Sequence, residues 1–195
     1  MKKIMMTLAA IAVAATMNAQ GYIGGSLGFN SDKTNDGKVT TTAFAIAPEL
    51  GYKLDDKMAV GVALGFGYGK KKNDITDSET TTTTFDIKPY LRYQVLTFGK
   101  ANIFVDGGVD FGLVSQKDYK PAMNIGLFVS PGIAYDINEK WSIVAHLNDM
   151  FSFGYKKSAV ADVAGAPDPD TNINANLSTG GFQLGSLTFG VYYNF

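Results

Sequence analysis

Pro48-Glu-Leu50-Gly-Tyr52-Lys-Leu54 is followed, after Asp55-Asp56-Lys57, by Met58-Ala-Val60-Gly-Val62-Ala-Leu64-Gly-Phe66-Gly-Tyr68. In both stretches the large apolar side chains fall on every second position, which is the period of a strand with one apolar face. A helix over 58–68 would lose about 1 kcal/mol at each of Gly61, Gly65 and Gly67. The first stretch recurs as Pro89-Tyr-Leu91-Arg-Tyr93-Gln-Val95 and as Pro131-Gly-Ile133-Ala-Tyr135-Asp-Ile137. A last version, Phe189-Gly-Val191-Tyr-Tyr193-Asn-Phe195, ends the sequence with Phe in place of Pro.

Each of the first three copies leads into a short polar turn that ends in lysine: Asp55-Asp56-Lys57, Thr97-Phe98-Gly99-Lys100 and Asn138-Glu139-Lys140. Behind each turn a second alternating run begins, at Met58, Ala101 and Trp141. With an opening strand over 22–30, the count is eight. The other connections, 31–39, 70–82, 116–122 and 157–178, are long and polar. An even number of strands with short turns at one end and long loops at the other is the layout of bacterial outer-membrane barrels, and it places both termini on the short-turn, periplasmic side.

The composition narrows the function classes. The 195 residues carry a formal net charge of −1 and no cysteine. There is no basic field for nucleic acid, no disulfide framework and no thiolate metal site. No cofactor and no metal is expected. Residues 1–20 have Lys2 and Lys3 ahead of an apolar run and a Met17-Asn18-Ala19 approach to a cleavage site, so they read as a signal peptide removed after Ala19 or Gln20. Residues 21–195 then form one domain. No segment has the roughly 18 consecutive apolar residues of a membrane helix, so any crossing is by strands, which hydrocarbon tolerates only as a closed cylinder.

The two faces of the alternation differ. One is aliphatic in mid-strand and aromatic near the ends. Tyr52, Tyr93, Tyr135, Trp141 and Tyr193 lie beside the short turns, and Phe66, Tyr68, Phe111, Phe151, Phe153 and Tyr155 lie towards the loops. Such girdles match the two interfaces of a bilayer. The other face carries Glu49, Lys53, Asp86, Lys88, Arg92, Asp106, Asp110, Asp136 and His146, interspersed with Ala59, Gly61, Ala63, Gly65 and Gly67. Charges belong in the lumen, because an Arg on the lipid face at mid-membrane costs about 2–4 kcal/mol. A barrel of eight strands is only wide enough for side chains to fill, so these charges are expected to pair and plug it. Three features sit awkwardly. Pro48, Pro89 and Pro131 fall inside strands and suggest a repeated bulge; Asp149 lands in the outward register; Tyr192 points a ring inward.

The signal peptide, the P-x-[LI]-x-Y repeats and the terminal Phe195 resemble the bacterial outer-membrane β-barrel family of small OmpA- and OmpX-like barrels, over essentially the whole mature chain. The resemblance implies an all-β, eight-stranded, antiparallel up-and-down transmembrane barrel with short periplasmic turns and long extracellular loops. It also implies that Leu187, Phe189, Val191, Tyr193 and Phe195 form the C-terminal signal read by the barrel-assembly machinery. Such membership says more about place and fold than about activity.

Catalytic chemistry is not expected. His146 is the sole histidine, low in the lumen, with no identifiable nucleophile beside it. The run Gly65-Phe-Gly67-Tyr-Gly69-Lys70 misses the phosphate-loop spacing, and Asp168-Pro-Asp170-Thr-Asn172 lacks the glycine and glutamate of a calcium loop. The reading is a non-enzymatic barrel set in outer-membrane lipid, with a plugged polar lumen, that serves envelope integrity or surface interaction through its loops. The loop partner is not specified by the sequence. The alternatives are a narrow porin-like channel, a lipid-modifying enzyme, and a soluble ligand-binding calyx, which would have the two faces exchanged.

Overall fold

A computed structural model describes residues 20–34, 38–116, 119–147, 149–157, 170–177 and 188–195. The strands are β1 (Gly21–Thr34), β2 (Val39–Lys53), β3 (Met58–Asn73), β4 (Ser78–Phe98), β5 (Ala101–Gln116), β6 (Ala122–Asp136), β7 (Trp141–His146), β8 (Phe151–Lys157), β9 (Thr171–Leu177) and β10 (Thr188–Asn194). β7 and β8 are the lower and upper parts of one wall position, since both pair with β6. β9 and β10 share the next, against β8 and β7 respectively. β10 also pairs with β1, from Tyr22↔Asn194 to Leu27↔Phe189, and so closes an antiparallel barrel of eight wall positions. The Phe195 amide donates to the Gly21 carbonyl at 2.9 Å and fastens the chain end to its first strand.

The barrel is inverted relative to a soluble protein. Ile23, Leu27, Phe44, Ile46, Val60, Phe66, Ile87, Leu91, Val191 and their neighbours in register lie exposed on the outside, while Glu49, Arg92 and Asp106 are buried. The soluble calyx, with polar walls and an apolar hollow, is excluded by that distribution. Among the described residues no helix is long and apolar enough to cross a membrane.

The short turns fall where the polar triplets put them. Asp55 Oδ1 accepts from the Lys57 and Met58 amides, and Asn138 Oδ1 from those of Lys140 and Trp141. Gly99 takes a left-handed φ of 58°, a conformation that costs a side-chain-bearing residue about 1–2 kcal/mol. The opposite end differs from expectation. Residues 31–34 and 39, and most of 70–82, are strand, with Thr34↔Val39 the last pair of one hairpin and Asn73↔Ser78 that of the other. The threonines at 40–42 and 80–84 are β-branched and suit the extended backbone.

The prolines behave in two ways. Pro48 keeps its pairing with Gly25 on β1, and the β2–β3 ladder skips Ala47 and Pro48 with register unchanged on either side. Pro89 likewise pairs with Val62 on β3, and the β4–β5 ladder skips Lys88 and Pro89. Neither is a bulge; each ring omits a bond towards the following strand. Pro131 does mark an irregularity. Register runs Gly132↔His146 on one side and Val129↔Phe151 on the other, so the intervening segment, 147–150, carries extra residues. At the two ends of this segment the Leu147 amide donates to Pro131 O at 2.9 Å and the Met150 amide to Val129 O at 2.7 Å. The break turns Asp149 into the lumen, which corrects its outward placement.

Candidate functional site

The lumen is crossed by a buried charged layer centred on β4. Arg92 on β4 is its centre: Nε donates to Asp106 Oδ1 at 2.7 Å and Nη2 to Asp106 Oδ2 at 2.8 Å, a bidentate pair across the β4–β5 ladder. The same Nη2 reaches Glu49 Oε1 on β2 at 3.2 Å and the Tyr192 hydroxyl on β10 at 3.1 Å. Tyr192 donates to Glu49 Oε2 at 2.8 Å, Tyr90 donates to Glu49 Oε1, and the Tyr22 and Tyr90 hydroxyls meet at 2.6 Å. The guanidinium lies 3.9 Å from the Phe104 ring centroid, a cation–π contact. His146 closes the layer from β7, with Nε2 at 3.0 Å from the Tyr192 hydroxyl and its ring 3.7 Å from Asp106 and 3.9 Å from Glu49.

Only 9% of Arg92, 7% of Glu49 and 4% of Asp106 is exposed. Charges so buried persist only when partnered and hydrogen-bonded, and this network provides both. Local sequence explains how rings this large fit. Tyr22 lies opposite Gly51, Tyr90 opposite Gly61, Phe104 opposite Gly132 and Tyr192 opposite Gly24. A Cβ at any of these glycines would overlap the facing ring, so each aromatic lies flat over bare backbone on the next strand.

Two cavities flank the layer and share no lining residue. The one towards the long loops, about 600 Å³, is bounded by Glu49, Tyr90, Asp106 and His146 at its floor and by Asp86, Lys88 and Asp149 higher up. The one towards the short turns, about 330 Å³, includes Tyr22, Arg92, Phe104 and Tyr192, with Lys53 and Asp136 at its mouth. Lys88 and Asp110 pair at 3.6 Å above the layer. Asp136 accepts from Asn102 at 2.8 Å and from Ser142 at 2.6 Å below it.

The polar residues expected in the lumen therefore separate into three levels. Glu49, Arg92, Asp106 and His146 meet in the plug, Asp86, Lys88 and Asp110 stand above it, and Lys53 is exposed at the lower mouth. Sequence reasoning missed Tyr22, Tyr90 and Phe104. The signal was present, since each occupies an inward position opposite a glycine. Outside, Tyr93, Tyr135 and Trp141 are exposed at the short-turn end, where Trp141 packs edge-on against Tyr193 at 5.0 Å. Tyr52 is half-buried, its hydroxyl on Gln20 at 2.9 Å. Phe189, Val191 and Phe195 are exposed along the outward face of the last wall position, whereas Leu187 lies outside the described residues, as do residues 1–19.

Chemically, the plug is an electrostatic unit whose charged and hydroxyl groups are hydrogen-bonded to one another. Gly65 to Lys70 belongs to β3 and forms no loop. Among the described residues no group of His, Asp or Glu is arranged to hold a metal ion.

A closed antiparallel cylinder, apolar outside and ion-paired within, is an integral membrane β-barrel. The sequence profile of the outer membrane protein beta-barrel domain matches residues 4–195, and the chain belongs to that family. Similar solved structures include neisserial surface protein A (NspA), with 14% identity and a TM-score of 0.48 over 90% of this chain and 97% of that one. Another is the translocator domain of the autotransporter NalP from Neisseria meningitidis, with 10% identity and a TM-score of 0.38 over 100% of this chain and 95% of that one. Likenesses of this degree carry no argument about activity. No curated protein matches the sequence.

Proposed function

We propose that this chain is a sealed, non-enzymatic outer-membrane barrel that serves the envelope through its lipid-facing wall and its long loops. One observation carries the reading: the Arg92 layer separates two cavities that have no lining residue in common. A solute would have to break the Arg92–Asp106 and Arg92–Glu49 pairs to pass, which leaves charges uncompensated in a confined lumen. On this reading residues 1–20 are a secretion signal, the short turns face the periplasm, and the outward aromatic residues of the last strand engage the assembly machinery during insertion.

The test is conductance. Purified barrel in planar bilayers should give no steady ohmic current; a reproducible open level in the wild type would replace this reading with the narrow channel. Orientation is tested separately. The chain has no cysteine, and Ile75 is exposed at the tip of the β3–β4 hairpin. An Ile75→Cys variant should react with a membrane-impermeant maleimide on intact cells, and absence of labelling there, with labelling after lysis, would reverse the orientation.

A further inference from the structure

The exterior of β1–β3 changes character in three steps towards the long-loop end. Register sets Phe29, Phe44 and Tyr68 side by side. Two residues on come Ser31, Thr42 and Lys70, and two further come Lys33, Thr40 and Lys72. By alternation all nine point outward. Below them is the aliphatic wall. The order from apolar to aromatic to hydroxyl-and-ammonium follows that of a lipid leaflet from acyl chain to interface to charged headgroup.

Lysines are not spread evenly around this rim. Among the described residues Lys33 on β1 and Lys70 and Lys72 on β3 flank the Thr40 and Thr42 positions of β2, with the exposed Lys38 two residues beyond Thr40, whereas Lys157 stands apart on β8. The backbones at Lys33 and Lys72 are two strand spacings apart, roughly 10 Å, with Thr40 between them. Two lysine stems can converge over that gap on one tetrahedral anion. Lys70 and Lys72 currently hold Glu79 and Asp74 at 2.8 and 2.9 Å, but all four side chains are about half exposed. Pairs of that kind contribute little and exchange readily.

We propose that Lys33, Lys70 and Lys72, with the hydroxyls of Thr40 and Thr42 between them, bind the phosphate of a lipid headgroup in the leaflet that surrounds the long-loop end. The site rests on the reading that this wall meets lipid; which leaflet it faces follows the orientation of the long loops. Glu79 and Asp74 then act as internal competitors for the lysines.

The experiment compares retention of phosphatidic acid and of diacylglycerol with the same acyl chains, measured by native mass spectrometry of the folded barrel released from micelles. The wild type should keep phosphatidic acid in preference to diacylglycerol. The combined Lys33→Gln, Lys70→Gln, Lys72→Gln variant should keep about ten-fold less, whereas Lys157→Gln should match the wild type. Glu79→Gln should raise retention, a gain that a merely structural role for the lysines does not provide. Equal retention by the triple variant, or a loss with Glu79→Gln, overturns the site. Inorganic phosphate is added as a competitor: displacement at equal concentration assigns the site to free phosphate and overturns the lipid assignment. All substitutions are on the exposed face, and unchanged heat-dependent gel mobility verifies the fold of each variant. If Ile75→Cys proves periplasmic while the lysine dependence holds, the orientation fails and the phosphate site stands in the other leaflet.

Discussion

Arg92 answers two carboxylates, so the consequences of removing each partner differ. Arg92→Met leaves Glu49 and Asp106 buried together with no guanidinium, and breaking a buried pair in this way costs about 3–5 kcal/mol. Glu49→Gln keeps the bidentate Asp106 pair and an acceptor oxygen for Tyr90, while its amide NH2 faces the Tyr192 hydroxyl as a donor, and it should cost well under half as much. Urea unfolding of the barrel in vesicles measures both; equal losses would mean that Arg92 acts chiefly through Glu49, and no loss from Glu49→Gln would mean that it acts through Asp106 alone. The glycines beneath the rings make a second residue-scale prediction. A methyl at Gly51 or Gly61 meets the ring of a tyrosine that is itself buried, and overpacking of this kind costs about 1–3 kcal/mol. Gly69→Ala, where nothing but the Thr82 carbonyl lies within 4 Å at 3.9 Å, should change little in the same assay. The charged members of the plug were legible because a charge declares its face as soon as the strand period is known. Tyr192 was legible as an inward ring, but Tyr22 and Tyr90 were not singled out, since an aromatic ring suits the girdle and the lumen equally and its cross-strand glycine is what separates the two.

At the scale of elements, most strand positions and the short turns followed directly from periodicity, while strand ends did not, and β9 lies inside the segment 157–178 that read as a loop. Alternation loses contrast where both faces become polar, as at 70–73 and 78–82, and so a continuing hairpin read as a loop. The prolines show the same limit: a sequence reveals that an N–H is missing but not towards which neighbour it would have pointed. Pro48 and Pro89 lose only a local bond towards the next strand, whereas Pro131 faces the break that admits Asp149 to the lumen. Face assignment within an element is testable on adjacent residues of β4. Leu91 is exposed and Arg92 buried. Leu91→Arg places a second guanidinium in lipid and should cost about 2–4 kcal/mol, without touching the plug. Folding yield into vesicles of increasing acyl length reads this, and an unaltered yield would mean that Leu91 lies outside the hydrocarbon.

At the scale of the whole molecule, the inverted distribution and the central layer make one joint demand. The wall needs lipid, and the Arg92 layer needs its charges partnered by one another, because its side chains fill the barrel between the upper and lower cavities and are buried there. Sealing and stability can nevertheless be separated by the choice of replacement. Substituting Glu49, Arg92 and Asp106 together by Leu, Met and Leu removes every charge of the trio at similar volume. Concerted replacement of a buried ionic group by apolar residues is often neutral or stabilising, so this barrel should remain folded and non-conducting. Substituting the same three by Ser removes the charges and the volume, leaves Tyr22, Tyr90 and Tyr192 without their central partner, and joins the upper and lower cavities. That variant should keep its heat-dependent gel mobility and acquire a small ohmic conductance in planar bilayers. A folded triple-Ser barrel that stays silent would assign the seal to the aromatic rings alone, and a conducting Leu-Met-Leu barrel would show that charge pairing, rather than filled volume, holds the lumen shut.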